Sequence, residues 1–583
     1  MIIQSGFHFS SIDQRIIEVK QGSRCGRRPE RHDMGRNYFR WIGTCTVLGL
    51  ATGAILWNIM VEPIDHGYPR YAAIADAMVR TGDWIVPKLD GEIYMHKPPL
   101  FIWLVAIPIA IMGRVPEWAG HLPNVLAAVG VLFGTYLLGK KIFGSRKAAL
   151  LSTLILATSY EFCDLVREER LDMVFTAFLL GAFLCFYQAV TSLPPGRGRT
   201  VWIIACYIFV ALATLTKGPV GLLFFLAVTI PFALWTGRVR FFIEKESLLG
   251  YVIFLALSSI WPLLVIARVG LKEALSVFQA TEMITRREGP FFYFVELPII
   301  FSPWIIFLPA VVIWLVQEKP YRGSEGIRFL LCWCGAFFAL LHLSSGKSTR
   351  YLLPAMLPLA MLTAGAVYGT MTAAAQLPIR WIGRLRDGTV WLLLVSILGA
   401  SFASPLLFSI ASEDKPFVIA GGLMAGIGSL IAIRQFFKYH DPIRCLFFIG
   451  MLILFLYAIF DAVHARRFIR NDTRILAEQA LAPITAGAPA RTYGLKNTQR
   501  QFLVSMLTRR SVPVASTLPE LKEWVSKEAG GEVFVVADSR HVNELFADPA
   551  LSAESYAAFC LEKHDLQVVR VAAGKRSVGM RYE

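Results

Sequence analysis

Cations and carboxylates set close together, between apolar stretches, are what a chain needs to hold a phosphate and take a proton beside it. Residues 65–103, DHGYPRYAAIADAMVRTGDWIVPKLDGEIYMHKPPLFIW, bring Asp65, Arg70, Arg80, Lys88 and Lys97 into one such stretch. Arg286 and Arg287 stand together in TRREGPFF, and Lys347, Arg350 and Tyr351 lie in SSGKSTRYLLP. Asp172, in RLDMVF, opens an apolar run. An ionised carboxylate there costs about 3 kcal/mol unless it faces a polar cavity. The plainer alternative is solvated loop charge paired with Glu168, Glu169 and Glu288, with Asp172 serving as a helix N-cap.

Elements that could carry these residues follow from composition. Of 583 residues, 55% are hydrophobic and only 17% charged, too few charges for a soluble chain of this length. Windows such as WIGTCTVLGLATGAILWNIM (41–60) are long enough to cross a hydrocarbon core of about 30 Å. The fold class expected is a mainly α, polytopic membrane protein. Hydropathy gives about 13 spans, near 41–60, 121–140, 147–160, 172–191, 201–216, 219–236, 248–266, 297–316, 329–344, 351–371, 389–408, 417–433 and 444–462. The net charge of +16 is scattered through short loops, which argues against nucleic acid. Most of the nine cysteines sit inside apolar runs without a paired CxxC motif, so they read as small core residues.

With the N-terminus inside, Lys140, Lys141, Arg146, Lys147, Arg197, Arg199, Arg238, Arg240, Arg434, Lys438 and Arg444 all fall on the inner side, as the positive-inside rule asks. Residues 1–40 then form a cytoplasmic basic segment with no apolar stretch for a cleavable signal, and Met34 is a candidate start. Residues 41–464 form the transmembrane domain, with a large first external loop at 61–120. Residues 465–583 form an external α/β domain: EVFVVADS is a buried-strand pattern, and TLPELKEWVSKEAGG has Thr517 as N-cap, Glu520 three residues on and Gly530 as a stop. The short PPLFIWLVAIPIAIMG is expected to be an interfacial or re-entrant helix. The cations kept in the outer loops break the orientation rule, and an anionic substrate at the membrane surface would account for them.

The blocks RYA, GDWxxP and KPPL, followed by RLDM (170–173), LTKGPVG (215–221), GPFFYFVELP (289–298) and GKSTRYLLPAMLPLA (346–360), occur in this order. Over about residues 41–371 the chain resembles the GT-C membrane glycosyltransferases, specifically the aminoarabinose lipid A transferases and related protein mannosyltransferases. That resemblance implies transfer of a sugar from a polyprenyl-phosphate carrier to lipid A, another glycan or protein on the periplasmic face of the bacterial inner membrane. It also implies inversion at the anomeric carbon, with no nucleotide sugar. An Asp would orient or deprotonate the acceptor while cations stabilise the departing phosphate. Lys97 is the first candidate for phosphate contact, with Arg70, Arg287, Lys347, Arg350 and Tyr351 in the same pocket. Lys217 of LTKGPVG is expected instead to snorkel to lipid headgroups, Gly218 and Pro219 only starting the next span.

Relatives usually carry an Asp-Glu pair three and two residues before the Arg of RYA. Here those positions are Gly67 and Tyr68. Three outcomes stay open: Asp65 takes the catalytic role, Asp172 serves alone, or the chain is a catalytically weak carrier-binding paralogue. Asp65 is favoured, since Gly67 and Pro69 permit a turn that would bring it into place. A lipid-linked-sugar flippase is the alternative from another class. The sequence assigns no definite cofactor, and a divalent metal stays open. Asp65, His66, Glu92 and His96 share a loop and could bind a divalent metal, although loop histidines are more often solvated.

Overall fold

The computed structural model describes residues 70–573 apart from 90, 117, 193, 195, 275–287, 345, 374–386, 389, 393, 396–414, 440–441, 471–472, 496–500, 502–503, 506, 509–511, 529–532 and 562–563. Asp65, Gly67, Tyr68, Arg287, the span expected at 41–60 and most of that expected at 389–408 therefore lie outside the described residues.

The first described elements belong to the expected first loop. Helix α1 (Arg70–Thr81) is followed by a two-stranded hairpin, β1 (Lys88–Leu89) and β2 (Glu92–Ile93), and by α2 (Leu100–Met112). Between α1 and the hairpin, Asp83 Oδ1 accepts the amides of Ile85 (3.3 Å) and Val86 (3.1 Å), an Asx-type turn that gives the GDW block its shape. Trp103 and Trp261 donate their indole N–H groups to the carbonyls of Trp84 and Ile85, both at 2.9 Å, so the turn is pinned from two sides. Helix α2 has 13 residues, about 20 Å of rise, short of a bilayer core. It packs on α1, with Tyr71 edge-on to Phe101 at 5.1 Å.

The helical body follows as α3 (Leu122–Phe143), α4 (Arg146–Ala157), α5 (Tyr160–Arg167), α6 (Asp172–Thr191), α7 (Arg197–Lys217), α8 (Val220–Thr236), α9 (Lys245–Val269), α10 (Phe292–Ile300), α11 (Leu308–Gln317), α12 (Glu325–Leu343), α13 (Leu353–Ala373), α14 (Lys415–Tyr439) and α15 (Pro442–Arg470). Among the described residues six helices are long and apolar enough to cross a membrane, or eight if two bent pairs each count as one span. The core between α6, α8 and α12 is aromatic: Phe183, Phe186, Phe225, Phe232, Phe329 and Trp333 are fully buried, with Phe183 and Trp333 centroids 4.5 Å apart.

Two expected spans are broken rather than straight. The stretch near 147–160 bends by 61° between α4 and α5, and that near 297–316 by 108° between α10 and the turn leading into α11. At the first break the hydroxyls of Thr158 and Ser159 bond back to the carbonyls of Leu154 (2.6 Å) and Ile155 (2.7 Å). At the second, Pro303 offers no N–H to continue the ladder and a 3₁₀ turn, Trp304–Phe307, intervenes. The breaks meet: Trp304 Nε1 donates to Thr158 Oγ1 at 2.8 Å and the Tyr160 amide to the Ser302 carbonyl at 3.0 Å. Hydropathy shows neither bend, because each is satisfied by the other.

The C-terminal part contains α16 (Thr473–Ala480), α17 (Ala482–Thr485), β3 (Ala490–Tyr493), β4 (Val514–Ala515), α18 (Leu518–Lys527), β5 (Val533–Asp538), α19 (Ser539–Ala547), β6 (Leu551–Leu561) and β7 (His564–Ala573). The strands form one sheet in the order β4-β3-β5-β7-β6, parallel from β4 to β5 and antiparallel from β5 to β6. Thr517 caps α18 by accepting the Glu520 amide at 3.4 Å, as its spacing predicts. Glu520 reaches back one residue further than a capping box requires, to the Ser516 amide at 2.9 Å. Gly530 lies outside the described residues. One buried apolar cluster joins this sheet to the first loop, running from Ile74, Met78, Phe101 and Ile102 through Leu481 and Ile484 to Val536 and Val568.

Candidate functional site

Asp172 is the first residue of α6 and only 4% exposed. It is not an N-cap: Leu171 occupies that position in helical conformation and no side-chain cap bond forms. Its carboxylate is spent on cations instead. Lys217 Nζ stands 2.5 Å from Oδ1 and Arg350 Nε 3.4 Å from Oδ2, which compensates the cost of burying the charge. The Lys217 ammonium also lies 4.3 Å from the Tyr351 ring centre and 5.0 Å from that of Phe175, and the Arg350 guanidinium 5.3 Å from the Tyr351 ring.

Lys217 thus does not snorkel to headgroups. LTKGPVG is a tight helix hairpin that delivers it: Lys217 ends α7, Gly218 turns at φ +89°, and Pro219 is the N-cap of α8. Gly221 then passes so near α7 that a Cβ on it would lie 2.8 Å from the Thr214 nitrogen and 2.9 Å from the Ala213 carbonyl carbon, both backbone atoms that cannot yield. The sequence signal was there, a Lys directly before Gly-Pro at a span end with a second Gly two residues on, but its partner Asp172 is 45 residues away.

Lys97 comes to the same place from the first loop. Together with His96, Thr214, Lys217, Ser258, Ser344 and Tyr351 it forms the polar part of a cavity of about 770 Å³, whose remaining wall includes Phe175, Leu223, Phe224, Trp261, Val265 and Leu340. Burial, and next the charge of Lys217, lower the Lys97 ammonium below its ordinary range, partly offset by Tyr351 and Asp172. His96, against the Tyr94 ring at 4.8 Å, is likewise lowered by burial and by Arg70 and Lys97. Burial raises the Tyr71 phenol well above its usual value, with Tyr94, Arg70 and Asp172 all acting on it, so Arg70 and Tyr71 border the same group of charges.

Of the residues singled out by sequence, Asp172, Lys97, Arg350 and Tyr351 are brought together, and Arg70 stands beside them. Lys347 is drawn aside: its ammonium is bonded to the carbonyls of Gly289 (3.0 Å) and Glu288 (3.4 Å), while Gly346 lines the cavity. Asp65 and Arg287 lie outside the described residues. Among the described residues no three His, Cys, Asp or Glu side chains converge on a metal position.

Residues 96–265 match the family described as dolichyl-phosphate-mannose-protein mannosyltransferase. The chain is 27% identical over 395 residues to an undecaprenyl phosphate-alpha-4-amino-4-deoxy-L-arabinose arabinosyl transferase of Pseudomonas aeruginosa (strain LESB58), covering 64% of this chain and 68% of that one. It is 30% identical over 300 residues to a protein of Aquifex aeolicus (strain VF5), covering 50% and 57%. The alignments thus span 57% to 68% of these relatives' own lengths. In fold, the chain is similar to the crystal structure of ArnT from Cupriavidus metallidurans bound to undecaprenyl phosphate, with a TM-score of 0.72 over 92% of this chain and 99% of that one, at 19% identity.

Proposed function

We propose that this chain, which resembles the GT-C aminoarabinose lipid A transferases and protein mannosyltransferases, transfers a sugar from a polyprenyl-phosphate carrier to an acceptor hydroxyl or similar group at the membrane surface. The observation that carries this is the cavity: Lys97, Lys217 and Tyr351 gather on walls that are otherwise mostly apolar, which suits a phosphate joined to a lipid chain. As the acceptor oxygen attacks the anomeric carbon, the sugar–phosphate bond breaks and its electron pair leaves on the carrier phosphate. Lys97 and Lys217 meet that charge, with Arg350 behind them.

Asp172 already accepts a hydrogen bond from Lys217 and is ion-paired with Arg350, which suits it to holding both cations in place. The acceptor proton then goes to Asp65. Arg70 is assigned to the phosphate or acceptor path and Arg287 is a further candidate for it, whereas the Lys347 ammonium is held by the Glu288 and Gly289 carbonyls. The acceptor is lipid A, another glycan or protein, on the periplasmic face of a bacterial inner membrane, with residues 1–40 inside and the 465–583 unit outside. Replacement of the relatives' Asp-Glu pair by Gly67 and Tyr68 favours one second reading, a chain that binds carrier and transfers slowly.

Reconstitution with a labelled undecaprenyl-phosphate sugar tests the proposal. Carrier consumption with a new glycoconjugate supports transfer, and loss of about 10²-fold or more in Lys97→Ala supports its phosphate role. Movement of label across the bilayer without product would make the protein a flippase. Binding without product, cured by Gly67→Asp with Tyr68→Glu, would make it the slow paralogue.

A further inference from the structure

The loop between α5 and α6 contains a carboxyl that the transfer scheme does not use. Glu169 has no exposed surface, and its Oε1 accepts the Ala72 amide at 2.6 Å, across 97 residues of sequence. Ala72 is the third residue of α1, one of the helix-start amides that have no partner within their own helix, and the first turn of α1 has no acidic residue of its own. The carboxyl is boxed in from the far side by Gly120, where a Cβ would sit 2.6 Å from its Cδ and Oε2. On either side of Glu169 the same short segment is tied down again. The Asn124 side chain donates to the Glu168 carbonyl, and Asp172 takes Lys217 and Arg350.

We infer that Glu169 is a positioning residue: it docks the N-terminus of α1 onto the segment leading into Asp172 and so fixes Arg70 and Tyr71 relative to the cation cluster. A helix held at its first turn cannot slide or tilt there without breaking that bond. Arg70 and Tyr71 are the two residues directly before the clamped amide; the Arg70 charge bears on His96, and the Asp172 carboxylate bears on Tyr71. Burial also drives the Glu169 acid well above the usual carboxylate range, so glutamine is the natural isostere of its neutral form.

The test uses the full chain in lipid nanodiscs, with Glu169→Gln, Glu169→Ala and Gly120→Ala. Two quantities are measured: amide hydrogen exchange in 70–81, with 172–191 as the internal reference, and carrier-dependent sugar transfer. Glu169→Gln keeps the acceptor oxygen and should match the natural chain in both. Glu169→Ala, and Gly120→Ala by pushing the carboxyl aside, should speed exchange in 70–81 by about tenfold or more while the reference stays protected. They should also lower kcat by about 10²-fold with the carrier KM nearly unchanged.

The kinetic part rests on the transfer function proposed above, whereas the exchange part does not. If the natural chain forms no product, that function fails, and exchange alone decides whether the clamp exists. Wild-type protection of 70–81 in Glu169→Ala would overturn the inference. So would faster exchange with kcat unchanged, or a glutamine variant no better than alanine. Should Glu169→Ala fail to fold, Gly120→Ala, which keeps the carboxyl, decides by the same readings.

Discussion

Lys217 and Asp172 form a pair whose members depend on each other unequally. Removing the lysine strips the buried carboxylate of its nearest cation and leaves the more distant Arg350, so Lys217→Met should cost about 3 kcal/mol of stability, the low end for breaking a buried pair. Adding Asp172→Asn should recover most of that loss in a denaturation series, yet carrier affinity should stay depressed, because the cation has gone in both. Lys97 makes a prediction about pH. Its ammonium is disfavoured in the folded protein, so over the window from its lowered value up to the ordinary lysine range the unfolded chain binds more protons and the unliganded protein gains stability as pH rises. Phosphate binding needs the charge, so the stabilisation conferred by undecaprenyl phosphate should shrink over the same window. Thermal melts with and without carrier would show the two opposite trends, and Lys97→Arg should flatten both.

At the level of elements, the site is made by helix ends and breaks. The α7–α8 hairpin places Lys217, the α4–α5 bend leads into the loop before Asp172, and the 3₁₀ turn Thr349–Leu352 presents Arg350 and Tyr351. A methyl group on Gly221 has only backbone to displace, so Gly221→Ala should pry α8 from α7 at a cost of about 1–3 kcal/mol. Because Lys217 moves with that hairpin, the same substitution should weaken binding of undecaprenyl phosphate, measured by its effect on melting. A substitution on an exposed position of the same helix, Leu234→Ala, should leave binding as it was.

The molecule as a whole joins its C-terminal sheet to the first loop through shared core. Val568 is fully buried in the cluster that also holds Ile74, Met78 and Phe101, so a charge there loses hydration on both sides of the contact. Val568→Asp should therefore make the 70–112 region as well as the sheet sensitive to limited proteolysis, while the aromatic core around Phe183 and Trp333 stays resistant. If only the sheet became sensitive, the first loop would be standing without it.

Helices with continuous apolar windows were legible in the sequence, because burial in lipid or core is a property that each window of residues carries locally. The α/β character of the C-terminal part, the Thr517 cap and the cations of the first loop were legible for the same reason. Three features were not. The bends at Thr158 and Pro303 exist because Trp304 and the Ser302 carbonyl satisfy groups on another helix. Lys217 looked like a headgroup anchor until α6 placed a carboxylate 2.5 Å from it, and Lys347 looked like a site residue until two carbonyls claimed it. The sequence by itself determined which segments are apolar helices and which residues carry charge. Only the tertiary structure decided which charges meet, since a charge buried with a partner and one left in water are the same letter until distant elements close around it.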